Sequence, residues 1–527
     1  MKRRKFLQLC AASSAGVFAG RLANSLSAAP TGAARGRPNV VVIYVDDLDP
    51  AELACYGGGV ATPHIDALAA DGVRFTRFYV SSSLCSPSRY TALTGRYASR
   101  NLELREKYPA GDQAFILWNT PLTRQETTLP RILQANGYVT GMVGKWHNGK
   151  GALEPVANGE DPAEPSTRKK IEANYKKAQE AVRDRGGFDC AEAVYGDNFN
   201  FLPITSKLKF HNQEWLTQKA VDFIASNKAR PFFLYISTTI PHAPSVLPSL
   251  KQSTRVTPAG YLDKPIEVQP SRDSVLARAR EHVAKRGAKG VGLRTVAGMI
   301  WLDDGVGAVM DRLKALGLYD NTLIILASDN GKGKWGKNVL NRGQIPCMVT
   351  WKNRVRGGQV NEELASNIDF APTVLDACRA EPSPGAGLDG RSLLPLLAGA
   401  GGEWRDSLYL EVTYTRGVAT KRWKYIATRF PEKVRRQIAA GEVAERELNQ
   451  EGSTTVKGKK GMRVRYNSNK VFPGYYDRDQ LYDLAADPGE QKNLAADPAH
   501  AAVLAELKKK LADYSRNLPH TFGEFKE

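Results

Sequence analysis

The sequence has little cysteine and little histidine, and after its first thirty residues it has no apolar run long enough to span a membrane. Six cysteines and seven histidines are scattered over 527 residues, and no spacing among them is typical of a zinc site. Cys10 belongs to the N-terminal segment, and the odd set of five that remains argues against a disulfide framework, although one bridge stays open. A zinc-dependent or disulfide-stapled scaffold is therefore disfavoured.

The chain also lacks a basic–aromatic module of the kinds that recognise nucleic acid, although it is strongly basic. Its formal charge is +19, and residues 1–30 hold five basic residues and no acid, so +14 remains beyond them. A basic field attracts anionic substrates, whereas the alternative is a solvated surface without a partner. We expect an anionic substrate and no nucleic-acid partner.

The N-terminal segment has the pattern of an export signal. Lys2-Arg3-Arg4-Lys5 forms a twin-arginine region, and a weakly apolar run with small residues around Ala28, Ala29 and Ala34 follows it. A membrane anchor is the alternative, but Arg21 interrupts the short run. The pattern predicts a signal over residues 1–34, export through the twin-arginine machinery to the periplasm or medium, and no stable membrane anchor.

Apolar runs that end in polar residues indicate a mostly parallel sheet. They cover residues 40–45, 138–143, 232–236 and 323–327. Runs of this kind are typical of strands buried on both faces, and intervening segments with helical spacing indicate helices on both sides of the sheet. Because ligands bind beyond the carboxyl ends of such strands, we expect the polar residues after these runs to converge on one site.

Composition divides the chain into a large and a smaller domain. We predict a catalytic domain over residues 37–400 and an α+β subdomain over 401–527, where short strand-like runs precede a helix at about 498–514. Two segments rich in charged residues, Pro and Gly, 149–186 and 247–293, are predicted to be surface insertions.

One stretch places a thiol at a predicted helix start. Pro87 suits the first position of a helix and Gly95 its end, so Cys85 is expected at the N-terminus, with Arg89 one turn further on the same face. The free N–H groups and the helix dipole there would bind an anion or lower the pKa of the thiol. A buried structural cysteine in a helix cap is the alternative, and this stretch alone favours neither.

Four oxygen ligands follow two of the predicted strands. Asp46 and Asp47 come after the first, and Asp329 and Asn330 come after the last. The set suits a hard cation such as Ca²⁺ or Mg²⁺. A single pair would favour a helix cap or turn, whereas two pairs on separate strands of one sheet favour a metal site.

These motifs, in this order, resemble those of the type I sulfatases of the alkaline phosphatase-like superfamily. Cys85-Ser86-Pro87-Ser88-Arg89 matches the family signature Cys-x-Pro-x-Arg. The later blocks are Gly144-Lys145-Trp146-His147, Pro241-His242-Ala243-Pro244, Ser328-Asp329-Asn330-Gly331, Asp369-Phe370-Ala371-Pro372-Thr373 and Leu481-Tyr482-Asp483-Leu484. The resemblance covers roughly residues 38 to 497. It implies an α/β fold with a large sheet sandwiched by helices and a smaller C-terminal α+β domain with a short antiparallel sheet.

The resemblance also implies a modified nucleophile and a metal. A maturase would convert Cys85 to formylglycine (3-oxoalanine), and one hydroxyl of the hydrated aldehyde would attack sulfur. One Ca²⁺ would polarise a sulfate oxygen. The residues that would hold the ion are Asp46, Asp47, Asp329, Asn330 and the modified Cys85.

The other site residues take their roles from the same resemblance. Arg89 would hold the hydrate and Lys145 the sulfate oxygens, while His242 would protonate the leaving alcohol. His147 would remove the proton of the second hydroxyl and so expel sulfate. For each histidine alone, a structural role is the alternative, and Lys145 alone could be a surface residue.

A second sulfate-binding lysine is harder to assign. Residues 336–346 replace the family's Tyr-Glu-Gly-Gly-like segment, and they lack its acid and usual arginine. We predict that Lys337 is the second sulfate-binding lysine, with Lys334 as the alternative.

The sequence therefore predicts a sulfuric ester hydrolase that releases inorganic sulfate from a sulfate monoester, such as a sulfated saccharide or an aryl sulfate. One alternative is a formylglycine phosphonate monoester or phosphodiester hydrolase. A second is a polyanion-binding pseudoenzyme in which Cys85 stays unmodified.

Overall fold

The computed structural model describes residues 36–109, 111–149, 151–266, 271–286, 291–332, 336–382, 385–399, 404–442, 471–475 and 477–525. The predicted export signal at 1–34 lies outside these residues. In the part of the chain that is described, no helix combines the length and the apolar character needed to cross a bilayer.

The strands, in chain order, are β1 Asn39–Val45, β2 Val73–Phe75, β3 Phe78–Tyr79, β4 Val139–Lys145, β5 Cys190–Tyr195, β6 Phe232–Thr238, β7 Val256–Thr257, β8 Gly260–Tyr261, β9 Thr322–Ser328, β10 Cys347–Thr350, β11 Gln359–Asn361, β12 Ala365–Ser366, β13 Leu408–Val412, β14 Thr415–Ala419, β15 Trp423–Thr428 and β16 Asp479–Asp483. The helices are α1 Pro63–Asp71, α2 Cys85–Thr94, α3 Leu102–Lys107, α4 Leu129–Ala135, α5 Pro165–Ala181, α6 Gln213–Ser226, α7 Val246–Leu250, α8 Arg272–Arg286, α9 Leu293–Ala315, α10 Phe370–Cys378, α11 Leu394–Leu397, α12 Glu432–Ala439 and α13 Ala501–Arg516.

Strand β1 lies inside the large sheet. Among the described residues, eight strands pair in the order β11-β2-β10-β9-β1-β6-β4-β5. Strands β9, β1, β6, β4 and β5 run parallel, and β10 is antiparallel to both of its neighbours. The four apolar runs of the sequence are the strands β1, β4, β6 and β9, so the prediction of a mostly parallel sheet is confirmed.

Helices cover both faces of this sheet. All seven residues of β1 are buried, and because side chains alternate along a strand, they divide between two cores. Val40 and Val42 pack with α2, α4 and α10, while Val41 and Ile43 pack with α1, α6 and α9. Apolar burial on both faces explains why β1 has no alternating polar residues.

A smaller antiparallel sheet lies in the C-terminal region. Strands β13 to β16 pair in sequence order, and α13 packs on them through Leu507 and Leu511. The predicted short antiparallel sheet is thus confirmed, whereas the boundary near residue 400 stays a prediction.

The predicted insertions contribute to the core. Helix α5 lies in the first insertion and buries Ile171, and α8 lies in the second. Arg272 at the start of α8 is buried and forms a bidentate ion pair with Glu214 of α6, at 2.7 and 3.0 Å. These segments are therefore surface insertions that also add to the interior, because α5 packs on β5 and α8 packs on α9.

Candidate active site

The polar residues that follow the parallel strands converge at one edge of the large sheet. Asp46 and Asp47 follow β1, Asp329 follows β9, and Lys145 is the last residue of β4. The carboxylate of Asp46 lies 2.6 Å from Lys145 Nζ and 3.4 Å from Sγ of Cys85 at the start of α2. The expected convergence at the carboxyl ends of the strands is therefore observed.

Helix α2 begins at Cys85. Its first backbone bond runs from Ser88 N to Leu84 O at 3.0 Å, and Gly95, with φ of 65°, ends the helix by donating to Thr91 O. The sequence placed Pro87 at the first helical position, but it is the third. Proline at the third position costs little stability, because the N–H groups of the whole first turn have no partners within the helix and the one that proline lacks is not missed.

Four potential metal ligands crowd together beside this helix start. The ligand atoms of Asp46, Asp47, Cys85 and Asp329 all lie within 4.8 Å of one another. Asn330 adds a fifth, since its buried Oδ1 has no hydrogen-bond partner among the described residues, while its Nδ2 donates to Asp47 Oδ1 at 2.5 Å. Clustered acids with an unpartnered amide oxygen fit a hard cation that prefers oxygen ligands.

Two cations lie fully buried against these acids. Lys145 Nζ donates to Asp46 Oδ2 at 2.6 Å, and Arg89 donates to Asp329 Oδ2 at 2.7 Å. Burial favours the neutral acid, but the attraction of Lys145, followed by His242 and Arg89, holds the pKa of Asp46 well below its ordinary value. Burial and then repulsion from Asp46 raise the pKa of Asp329 to about 7.

The environment of Cys85 does not favour a thiolate. Its Sγ lies 3.4 Å from Asp46 Oδ1. Burial, followed by the negative charges of Asp329 and Asp46, raises the pKa of the thiol well above its ordinary value. The alternative of a thiol activated by the helix N-terminus is therefore opposed by the acids in front of it.

Lys337 reaches the same cluster. Its Nζ lies 2.5 Å from Asp47 Oδ1, and its side chain is almost fully buried. The competing candidate, Lys334, lies outside the described residues.

The two histidines lie at the rim of the cluster. His147 Nε2 is 3.2 Å from Asp197 Oδ1, and no other residue in the described part of the chain hydrogen-bonds to its buried Nδ1. Burial, and then the charge of Lys145, lowers the pKa of His147 to about 4. His242 Nδ1 donates to Ala243 O at 3.0 Å, while Nε2 lies 3.7 Å from Asp47 Oδ2. Burial lowers the pKa of His242 as well.

Two residues of this site were missed from the sequence. Asp197 contacts His147 just beyond β5, a strand whose Cys190-Ala191-Glu192 start breaks the apolar pattern. Ser237 accepts a hydrogen bond from Arg89 at 2.5 Å and donates to Lys145 O at 2.6 Å. The signal that could have found Asp197 is its position two residues after a strand, like His147.

A glycine lets β4 approach β6 closely at this edge. The register of β4 with β5 shifts between Val143 and Gly144, and Gly144 has φ of 95°. A Cβ there would meet Ser237 O at 2.0 Å. The glycine therefore permits the local bulge from which Lys145 enters the acidic cluster.

Comparison with known proteins assigns the chain to a family. The family model described as Sulfatase matches residues 38–380. The chain belongs to the sulfatase family. A second model, described as N-sulphoglucosamine sulphohydrolase, C-terminal, matches residues 339–436 of the sulfatase. Human arylsulfatase A is 31% identical to it over 509 residues, which cover 89% of this chain and 86% of the relative.

Solved structures share the fold of this sulfatase. One, solved in complex with its substrate D-glucosamine-2-N,6-O-disulfate, has a TM-score of 0.57 and 21% identity, with 91% of this chain and 98% of that chain covered. The phosphonate monoester hydrolase of Agrobacterium radiobacter has a TM-score of 0.56 and 19% identity, with 90% and 95% covered. The fold is thus shared with a phosphonate monoester hydrolase, so the fold alone does not distinguish sulfate-ester from phosphonate-ester hydrolysis. The sequence relationship identifies this chain as a sulfatase enzyme that hydrolyses sulfate esters.

Proposed function

We propose that this sulfatase releases inorganic sulfate from a sulfated saccharide or aryl sulfate, with residue 85 as formylglycine and one Ca²⁺ in the acidic cluster. The observation that carries the proposal is the buried set of Asp46, Asp47, Cys85 and Asp329 with its unpartnered Asn330 oxygen. Hydrated formylglycine supplies a nucleophile, and Ca²⁺ held by these residues supplies Lewis-acid polarisation of a sulfate oxygen.

The two lysines bind and orient the sulfate group, and Arg89 holds the hydrate of residue 85. Lys145, Arg89 and Lys337 are buried beside the cluster and fixed by hydrogen bonds to its acids. Their positions are set before the substrate arrives, so little reorganisation is needed as negative charge spreads over the sulfate and leaving oxygens. Water is largely excluded around them, which strengthens these interactions.

Each histidine has one nitrogen suited to proton transfer. The bond from His242 Nδ1 to Ala243 O leaves Nε2, 3.7 Å from Asp47 Oδ2, as the atom that would carry the second proton of the imidazolium and deliver it to the leaving alcohol. Donation from His147 Nε2 to Asp197 leaves the unpartnered Nδ1 as the proton acceptor. Asp197 would therefore fix the tautomer of His147.

Parallel kinetics separate this function from its nearest alternative. We expect faster turnover of an aryl sulfate than of the matched aryl phosphodiester by protein from the native host. Faster turnover of the phosphodiester would instead favour the phosphonate monoester or phosphodiester hydrolase. Mass spectrometry of the Cys85 peptide from the same sample tests the maturase step, and unmodified cysteine in active protein would refute the formylglycine mechanism.

Calcium should stabilise the folded protein. At a hundredfold excess of Ca²⁺ over its Kd, binding adds about 2.7 kcal/mol to the free energy of unfolding. We expect EDTA-treated protein to regain a higher unfolding midpoint on addition of Ca²⁺, and Asp329→Asn to lose most of this increase. The matched control is Asp320→Asn, because Asp320 is exposed and precedes the amino end of the same strand. An equal calcium response in both variants would contradict the assignment.

We also propose export to the periplasm or medium through the twin-arginine route, with maturation before translocation. The support is the Arg3-Arg4 pair and the weakly apolar run after it. Replacing both arginines by lysine should retain the protein in the cytoplasm in a transit assay, and unimpaired export would argue against this route.

A further inference from the structure

A cavity of 780 Å³ opens beside the catalytic cluster. Its wall includes Ser86, the neighbour of Cys85, and the proposed base His147. The volume lies within the range of about 300–1,000 Å³ that is usual for small-ligand sites. Because Ser86 and His147 adjoin the residues proposed to handle the sulfate group, the cavity is placed to receive the rest of a substrate.

The charge of this wall is opposite to that of the chain. The whole sequence carries +19, yet the residues that line this cavity include three acids, Glu103, Glu106 and Asp197, and one lysine, Lys107. Negative side chains beside a binding site make the binding of a negatively charged ligand less favourable, and so reject it. A second sulfate or a carboxylate on the substrate would meet this repulsion, whereas hydroxyl or amino groups would find acceptors.

The acidic side chains stand on a fixed helix. Glu103 and Glu106 are three residues apart on α3, a spacing that brings side chains to one helix face. Asn101 Oδ1 accepts from Leu104 N at 3.2 Å, and the carboxylate of Glu126 accepts from Leu102 N at 2.8 Å. The start of the helix is thus tied to neighbouring segments, which fixes the backbone that carries the two glutamates.

An exposed tryptophan forms another part of the wall. Trp118 is 39% exposed although large apolar side chains are mostly buried in the described residues. The next residue, Asn119, bridges the backbone of this segment, since its side chain accepts from Leu117 N at 2.8 Å and donates to Phe115 O at 2.9 Å. A fixed, flat aromatic surface suits the apolar face of a sugar ring.

We propose that this cavity binds the sugar ring of the leaving alcohol, with the ring on Trp118 and its hydroxyl or amino groups on Glu103 and Glu106. The two glutamates thereby select a singly sulfated, neutral or amine-bearing sugar over one with a second anionic group. This inference rests on the proposed function and adds the substrate class to it.

The test compares matched glucosamine sulfates. Each sugar carries one O-sulfate, at O3 or O6. Each is supplied in two forms, one with a free amine and one with an N-sulfated amine. For the accepted position, we expect kcat/KM of the free amine to exceed that of the N-sulfated form by at least about tenfold, a difference of 1.4 kcal/mol. In the double variant Glu103→Gln, Glu106→Gln this ratio should fall toward one, chiefly through a lower KM for the N-sulfated sugar.

Two further variants separate specificity from general damage. Glu281→Gln removes an exposed carboxylate of α8 outside this cavity and should leave the ratio unchanged. Trp118→Ala should raise KM for both sugars without altering their ratio, and Trp118→Phe should restore much of the loss.

Three results would overturn the proposal. They are equal or faster turnover of the N-sulfated sugar by the native enzyme, an unchanged ratio in the double glutamine variant, and hydrolysis of aryl sulfate without hydrolysis of any of these sugars. Failure to hydrolyse aryl sulfate as well would contradict the proposed function itself, so the two failures are distinguishable.

Discussion

Replacing Cys85 by alanine should abolish sulfate release while the protein stays folded. When catalytic residues act together as a unit, loss of the nucleophile alone lowers kcat by about 10⁴-fold or more. Alanine fills part of the same buried space at the start of α2, and the cluster of acids and cations around it is otherwise kept. The measurement is initial-rate hydrolysis of an aryl sulfate beside a thermal unfolding curve for each protein.

A second cysteine gives the matched control. Cys55 is half-buried, has no disulfide and lies outside the acidic cluster, so Cys55→Ala should keep nearly the native rate. Full activity in Cys85→Ala would remove the central claim about the nucleophile. Lost activity accompanied by a lost unfolding transition would show damage to the fold, and Cys85→Ser would then be compared as the closer replacement.

Replacing Lys424 by methionine should cost about 3–5 kcal/mol of unfolding free energy, because it leaves a buried carboxylate without its partner. Lys424 lies on β15 and is fully buried, with Nζ 2.6 Å from Glu490 Oε1. The same Nζ donates to Arg342 O at 2.8 Å, and Glu490 accepts from Arg342 N at 2.8 Å. This pair ties the small sheet to the segment that carries Lys337.

The control for this change lies three residues away. Lys421 is half-exposed and pairs with Glu363 at the surface, so Lys421→Met should cost less than about 1 kcal/mol. Removing both charges with Lys424→Met and Glu490→Leu should recover much of the stability, since no buried charge is then left alone. Equal urea midpoints for the two single variants would contradict the importance of the buried pair.

The sequence predicted much of the large sheet because its strands carry a strong local pattern. The runs that became β1 and β9 are apolar throughout, and they end in Asp46-Asp47 and Asp329-Asn330. Parallel strands bring such ends to one edge, so the metal-ligand candidates could be named before any distance was known. The same pattern failed for β5, where Glu192 interrupts the run and Asp197 was overlooked.

The sequence by itself determined the family, the order of the motifs and the candidate residues at the strand ends, beginning with Cys85. Tertiary structure alone decided which charges meet: Arg89 with Asp329, which are 240 positions apart, and Lys424 with Glu490, which are 66 apart. It also decided that Trp118 and Glu103 share a wall with His147. Helix and strand patterns arise from periodic local geometry and are visible in sequence. Contacts between distant side chains depend instead on how helices and sheets pack in three dimensions, and no local pattern records this packing.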